Sequence, residues 1–89
     1  MKPLAKTKDL VVKRDTGELF IEDLVKNTEI HLNPTSAYVW EKCDGKRSVK
    51  EIADEMEFEL GMNVSESVVE QAIAKLRSED LISEMALTA

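Results

Sequence analysis

Three features of the sequence have residue types that could take part in catalysis: the tripeptide Asp15-Thr16-Gly17, the only histidine, His31, and the only cysteine, Cys43. An Asp-Thr-Gly tripeptide supplies one carboxylate of the paired aspartates in aspartic proteases. That aspartate follows a buried apolar strand, whereas Lys13 and Arg14 precede this one. We therefore interpret the tripeptide as the loop of a β-hairpin.

His31 and Cys43 have no partners at the spacing that a metal site or a general base requires. His31 alternates with Ile30 and Leu32, so it is expected on the outer side of a strand. Cys43 follows Trp40 at helical spacing, which predicts a buried, unreactive thiol. We therefore expect no catalytic residue, no metal and no cofactor, and we interpret the chain as a binding module rather than an enzyme.

Composition limits the class of protein further. The chain has 89 residues, with 18 Asp and Glu against 12 Lys and Arg, a net charge of −6. This length predicts one domain, and a single cysteine is typical of a reducing compartment. No apolar run reaches the ~20 residues that span a bilayer, and the first residues lack the apolar core of a signal peptide. We expect a cytoplasmic protein with no membrane partner.

The order of predicted elements is three short strands followed by three helices. The predicted strands are residues 10–12, 18–24 and 28–32. Asn33 and Pro34 predict the start of the first helix, the capping box Ser48–Glu51 that of the second, and Ser65 or Ser67 that of the third. Short connections between the strands favour an antiparallel meander.

This pattern predicts an α+β, winged-helix-like fold with an N-terminal three-stranded antiparallel sheet followed by three helices. We divide the chain into a flexible lead-in (1–8), one recognition domain (9–82) and a C-terminal tail (83–89).

A winged-helix arrangement suggests DNA binding through the third helix. Residues 65–80, however, contain four acidic and two basic side chains, a net charge of −2, and Glu66 and Glu70 would face the phosphates. This charge disfavours a nucleic-acid partner. DNA binding stays as one alternative, and a docking adaptor for a larger enzyme stays as another.

The predicted sheet offers a different binding surface. Both outer strands of a meander have a free edge, and such an edge can accept an extended peptide as an added strand. The third predicted strand is the better candidate, because the chain turns from Leu32 directly into the helices and so places this edge beside a helical wall. An unoccupied edge protected by Glu29 is the alternative.

A second pattern runs through most of the chain. It consists of Leu19-Phe20-Ile21, Asp23-Leu24, Leu32-Asn33, Ala37, Val39-Trp40, Asp44-Gly45, Val49, Glu51-Ile52-Ala53, Val64 and Leu81-Ile82. This pattern resembles the PqqD family over about residues 10–82. The sequence departs from the family pattern at two places, since many relatives have an aromatic residue at the position of His31 and a glycine in the turn at 25–27. These departures weaken an assignment to pyrroloquinoline quinone biosynthesis itself and leave a generic PqqD-like recognition protein, with the pathway open.

The resemblance implies a non-catalytic recognition element in the biosynthesis of a ribosomally made, modified peptide or a PQQ-like cofactor. Such a protein binds the leader of a precursor peptide along the third strand and the third helix, and presents it to a modifying enzyme of the radical S-adenosylmethionine type. Carried over by position, the peptide-binding residues are Thr28, Glu29, Ile30, His31 and Leu32 of the strand and Val68, Gln71, Lys75 and Ser78 of the helix.

Overall fold

The structure, a computed structural model, describes residues 3–84. Its elements in chain order are β1 (Pro3–Ala5), β2 (Leu10–Asp15), β3 (Glu18–Asp23), β4 (Thr28–Leu32), α1 (Pro34–Lys42), α2 (Val49–Leu60), α3 (Glu66–Ser78) and β5 (Ile82–Glu84). The strands β2, β3 and β4 form one antiparallel sheet in that order. The predicted α+β class, a three-stranded sheet followed by three helices, is confirmed. The third predicted strand is β4 in this numbering.

A separate two-stranded sheet, which the sequence pattern does not indicate, joins β1 to β5. The strands are antiparallel, with Pro3 opposite Glu84. The connection between α1 and α2 holds β1 as well, since the Ala5 N–H donates to the Cys43 carbonyl at 2.7 Å and the Gly45 N–H to the Pro3 carbonyl at 2.9 Å. Thus β1 is bonded along both of its sides.

The small sheet involves both predicted terminal segments. The lead-in, residues 1–8, contains β1, and the tail, residues 83–89, begins inside β5. Residues 1–2 and 85–89 lie outside the described part of the chain. Sequence without a local pattern can therefore still form a strand, because pairing with a distant segment holds it in place. The limits of the recognition domain, residues 9–82, stay a prediction.

The hairpin between β2 and β3 is tighter than the expected three-residue loop. Asp15 pairs with Glu18, which leaves only Thr16 and Gly17 in the loop. Both have positive φ, 46° and 85°. This is the combination that a type I′ turn requires and that matches the twist of the flanking strands.

Pairing between β3 and β4 decides which face of the sheet is buried. Leu19 lies opposite Leu32 and Ile21 opposite Ile30, and all four side chains are buried. The alternation is therefore Leu19 and Ile21 inward with Phe20 outward, which three consecutive apolar residues do not reveal. The buried pairs fix the register, because a slip of one residue would turn them to solvent.

Local capping explains where the helices begin. The Asn33 side chain accepts from the Ser36 N–H at 2.9 Å at the start of α1. Ser48 and Glu51 form the predicted capping box of α2. Ser65, rather than Ser67, caps α3 by accepting from the Val68 N–H. Each cap satisfies an N–H that the first helical turn leaves without a partner.

The helix ends are set by other features. α2 ends at Gly61, which has φ +67°. The C-cap of α1 is Cys43, and Gly45, two residues later, has a positive φ of 78°. α1 packs against β3, β4 and α3, and α3 packs against α2 and β5. In residues 3–84 there is no helix whose length and apolar character would allow it to cross a membrane.

Candidate functional site

The outer edge of β4 is open. One side of β4 pairs with β3, and within residues 3–84 no strand pairs with the other side. The C-terminal strand β5 pairs with β1 instead, so it does not cover this edge. An edge strand presents a row of backbone N–H and C=O groups to which a further strand can bind.

The side chains of β4 divide between the core and the solvent. Ile30 and Leu32 are buried beneath the helices, whereas Thr28, Glu29 and His31 are exposed. Of the five residues carried over to the strand, two therefore belong to the core. Their backbone, and not their side chains, is what a bound segment could reach.

On the outer face of the sheet, His31 is held by two neighbours. Its ring stacks on Phe20 with centroids 4.7 Å apart and an angle of 23° between the planes. Its Nε2 atom contacts Glu18 Oε1. The predicted outward position of His31 is confirmed, and these contacts give it a structural role across β3 and β4.

The residues carried over to α3 all lie on one exposed flank. Val68, Gln71, Lys75 and Ser78 follow one another at spacings of three and four, and each is exposed. Val68 is 42% exposed, which leaves a β-branched apolar side chain in contact with solvent.

The opposite flank of α3 has a different environment. Glu66, Glu70 and Arg77 line a cleft of about 500 Å³ together with Pro3 and the first residues of α2. The buried stripe of the helix separates this flank from the one that contains Val68. The cleft and the Val68 flank are thus two distinct surfaces of the same helix.

An ion pair joins the start of β4 to the end of α3. Lys26, in the turn before β4, has its Nζ 3.2 Å from Asp80 Oδ2, and Lys6 Nζ lies 3.1 Å from the same oxygen. The two lysines, Lys6 foremost, hold the pKa of Asp80 below its ordinary value. α1 packs against both β4 and α3. The exposed Lys26–Asp80 ion pair adds a second, weaker link between the turn before β4 and the residues after α3.

Comparison with known families adds the deciding observation. The sequence profile of the family described as Coenzyme PQQ synthesis protein D (PqqD) matches residues 18–82. The chain belongs to the PqqD family. The match begins at the first residue of β3 and ends at Ile82, so it includes both β4 and α3.

A solved structure has the same fold as this PqqD-family chain. It is "TbiB1 in Complex with the TbiA(beta) Leader Peptide", with a TM-score of 0.70 and 18% sequence identity. The similarity covers 93% of this chain and 99% of TbiB1. None of the curated proteins matches the chain significantly in sequence.

Asp23 is a positioning residue that the sequence analysis missed. It is 2% exposed, and its Oδ1 accepts from the Val25 and Lys26 N–H groups at 3.0 Å each. Its Oδ2 is buried and has no hydrogen-bond partner among the described residues. Asp23 therefore shapes the turn into β4 from within the protein. An aspartate followed by turn residues is the signal that could have indicated it.

Cys43 and Asp15, the other residues considered for catalysis, occupy positions that the fold of this PqqD-family chain explains. Cys43 is buried, and the pKa of its thiol is raised to about 12. Burial is the main cause, and the negative charge of the neighbouring Asp44 carboxylate is the second. Asp15 is exposed at the end of the β2–β3 hairpin, as the turn interpretation predicts. Among residues 3–84, no three His, Cys, Asp or Glu side chains are grouped so that they could hold a metal ion.

Proposed function

We propose that this chain binds the leader segment of a precursor peptide and presents it to a separate modifying enzyme, without itself catalysing a reaction. Membership of the PqqD family supports this function. The structural similarity to TbiB1, a protein solved in complex with a leader peptide, supports it at the level of the fold. The observation that carries the proposal is the open edge of β4, in a domain where α1 packs against both β4 and α3 and where one flank of α3 is exposed.

In this proposal the leader adds a strand to the sheet along Thr28–Leu32. Backbone hydrogen bonds supply much of the affinity and are independent of the leader's side chains. Because Ile30 and Leu32 are committed to the core, selectivity comes from the leader side chains that point towards α3.

The α3 flank offers three kinds of contact to those side chains. Val68 supplies an apolar surface, Lys75 a cation and Gln71 an amide, and all three are exposed. The Ser78 hydroxyl donates to the Lys75 carbonyl at 2.7 Å, so it meets a ligand only through its acceptor lone pairs. A leader with an aliphatic residue near Val68 and an acidic residue near Lys75 would match this surface.

The partner enzyme in the proposal is of the radical S-adenosylmethionine type, which the family resemblance implies. We place the protein in the cytoplasm, where its single, buried cysteine stays reduced.

Titration of ¹⁵N-labelled protein with the leader encoded beside its gene tests the site. Amide signals of Thr28–Leu32 and of the Val68 flank should shift together, because both contact the same bound segment. Shifts confined to other parts of the chain would contradict the proposed site, and no shifts at all would contradict peptide binding.

A matched pair of variants sharpens this test. Val68→Ser removes an apolar contact at the proposed site and should weaken leader binding about fivefold, a loss of ~1 kcal/mol. Val11→Ser changes the same side chain on β2, where it is 38% exposed, and should leave affinity unchanged. If the two substitutions change leader affinity equally, α3 is not part of the binding site.

A further inference from the structure

The C-terminal end of α2 exposes three large apolar side chains that the proposed peptide site does not use. Phe58 is 89% exposed, Met62 51% and Leu60 48%. The buried face of α2 consists of Ile52, Ala53 and Met56, so none of the three belongs to the core. We refer to Phe58, Leu60 and Met62 as the α2 tip.

A groove adjoins the α2 tip. Leu60 and Met62 form part of its wall, together with Tyr38 and Glu41 of α1 and with Arg14 near the end of the β2–β3 hairpin. Its volume is about 490 Å³. No residue lining this groove comes from β4 or α3. A segment bound here would therefore leave the proposed peptide site free.

Acidic side chains predominate on α2 and in its last turn. α2 has five acidic side chains and one basic one, a net charge of −4, and its last turn has no basic residue. The carbonyl groups at a helix C-terminus already carry partial negative charge, so Glu57 and Glu59 lie where a cation would be favourable. Lys42 is 3.6 Å from Glu59, whereas Glu57 forms no ion pair within residues 3–84.

The exposed aromatic side chain and the acidic side chains beside the partly negative C-terminus of α2 are both unfavourable in the isolated chain. A partner with apolar and basic side chains would compensate for both. We infer that the α2 tip and its groove are the docking surface for the modifying enzyme, which contributes an apolar segment flanked by Lys or Arg side chains. This inference rests on the proposed function. A second copy of the chain is a poor occupant, because two acidic α2 ends would face each other and each chain has a net charge of −6.

The test uses the purified modifying enzyme encoded beside the gene for this chain, and it measures its affinity for the full chain by calorimetry. Phe58→Ser combined with Met62→Ser should weaken enzyme binding at least tenfold, and Glu57→Lys should weaken it as well. Both variants should bind the fluorescent leader within about twofold of the parent, because the leader site shares no residue with the α2 tip. Val11→Ser, at an exposed apolar side chain on β2, should change neither affinity.

Three results would overturn the inference. The enzyme could bind the double variant as tightly as the parent. The leader could lose affinity in parallel with the enzyme, which would assign the α2 tip to peptide binding. The parent chain could self-associate in sedimentation experiments while the double variant does not, which would assign the surface to a second copy. If the enzyme binds no form of the chain but the leader still binds, this inference fails and the peptide-binding function stands; if the leader does not bind, the proposed function fails.

Discussion

Strand addition predicts a particular pattern when the leader peptide is methylated one backbone nitrogen at a time. N-methylation removes a single N–H donor and keeps the side chain. In an added strand, alternate N–H groups point towards β4 and the others point away from it. Affinity should therefore fall at every second position of the leader segment that binds.

The size of the effect follows from the length of β4. The strand has 5 residues, so roughly two or three leader N–H groups can donate to it. Each lost backbone hydrogen bond costs about 1 kcal/mol net, which corresponds to roughly fivefold in affinity. The added methyl group would also contact the strand edge, so fivefold is a lower bound. Positions that point away should change affinity less than about twofold.

Fluorescence anisotropy with a series of singly methylated, labelled leaders measures this pattern. A series of singly alanine-substituted leaders serves as the control, because it reports side-chain contacts without changing the backbone. Loss of affinity at nearly every methylated position would indicate a helical leader, whose interior N–H groups all form hydrogen bonds within the helix. No loss at any position would indicate binding through side chains alone. Either result would refute addition of a strand to β4.

Three further predictions concern the residues that hold the site in place. Trp40→Phe removes the buried hydrogen bond, 3.0 Å long, that the indole N–H donates to the Leu81 carbonyl, and it leaves a small cavity. The free energy of unfolding in urea should fall by about 2 kcal/mol. A change below ~0.5 kcal/mol would contradict a structural role for this hydrogen bond. Because the pKa of Asp80 is lowered in the folded protein, its ion pairs stabilise the fold at pH values above the ordinary pKa of an aspartate, and this stabilisation is lost as the pH falls through the pKa of the folded state. Asp80→Asn should therefore lower the thermal midpoint at about pH 7 but not at about pH 2. Equal losses at both pH values would exclude an electrostatic cause. Cys43 is buried and the pKa of its thiol is raised, so a thiol reagent should react with it slowly. At about pH 8 we expect labelling to be roughly a hundredfold slower in the folded than in the denatured chain, and equal rates would show an accessible thiolate.

The helices were predictable because their boundaries are set locally. The capping box Ser48–Glu51 and Gly61 define α2 through contacts within a few residues, and the sequence displays them directly. The same holds for Asn33 at the start of α1. The sequence left both Ser65 and Ser67 open as the N-cap of α3, since a serine can cap a helix at either position and the chain geometry decides between them.

The features that sequence reasoning missed depend on distant partners. β1 has no pattern of its own and forms only because Pro3–Ala5 meets β5. Asp23 lies on the buried face although it is acidic, because two backbone N–H groups compensate one of its oxygens. Neither the pairing nor the compensation can be read from neighbouring residues.

The candidate site was predictable in part. The order of the strands indicated that both outer strands have an open edge, and the direct connection from Leu32 into the helices favoured the edge of β4. The flank of α3 was harder to choose, because an amphipathic helix has two flanks beside its buried stripe. The structure assigns Glu66 and Arg77 to the cleft beside α2 and leaves the Val68 flank separate from it.

The pairing of β1 with β5 makes the described chain almost a closed ring. Pro3 lies directly opposite Glu84, so a linker of a few residues could join them, and new ends could be opened in the exposed two-residue turn at Thr16–Gly17. Circular permutation would then move the ends of the polypeptide to the tip of the β2–β3 hairpin. Because the order and pairing of β4 and α3 would stay unchanged, the rearranged chain should still bind the peptide.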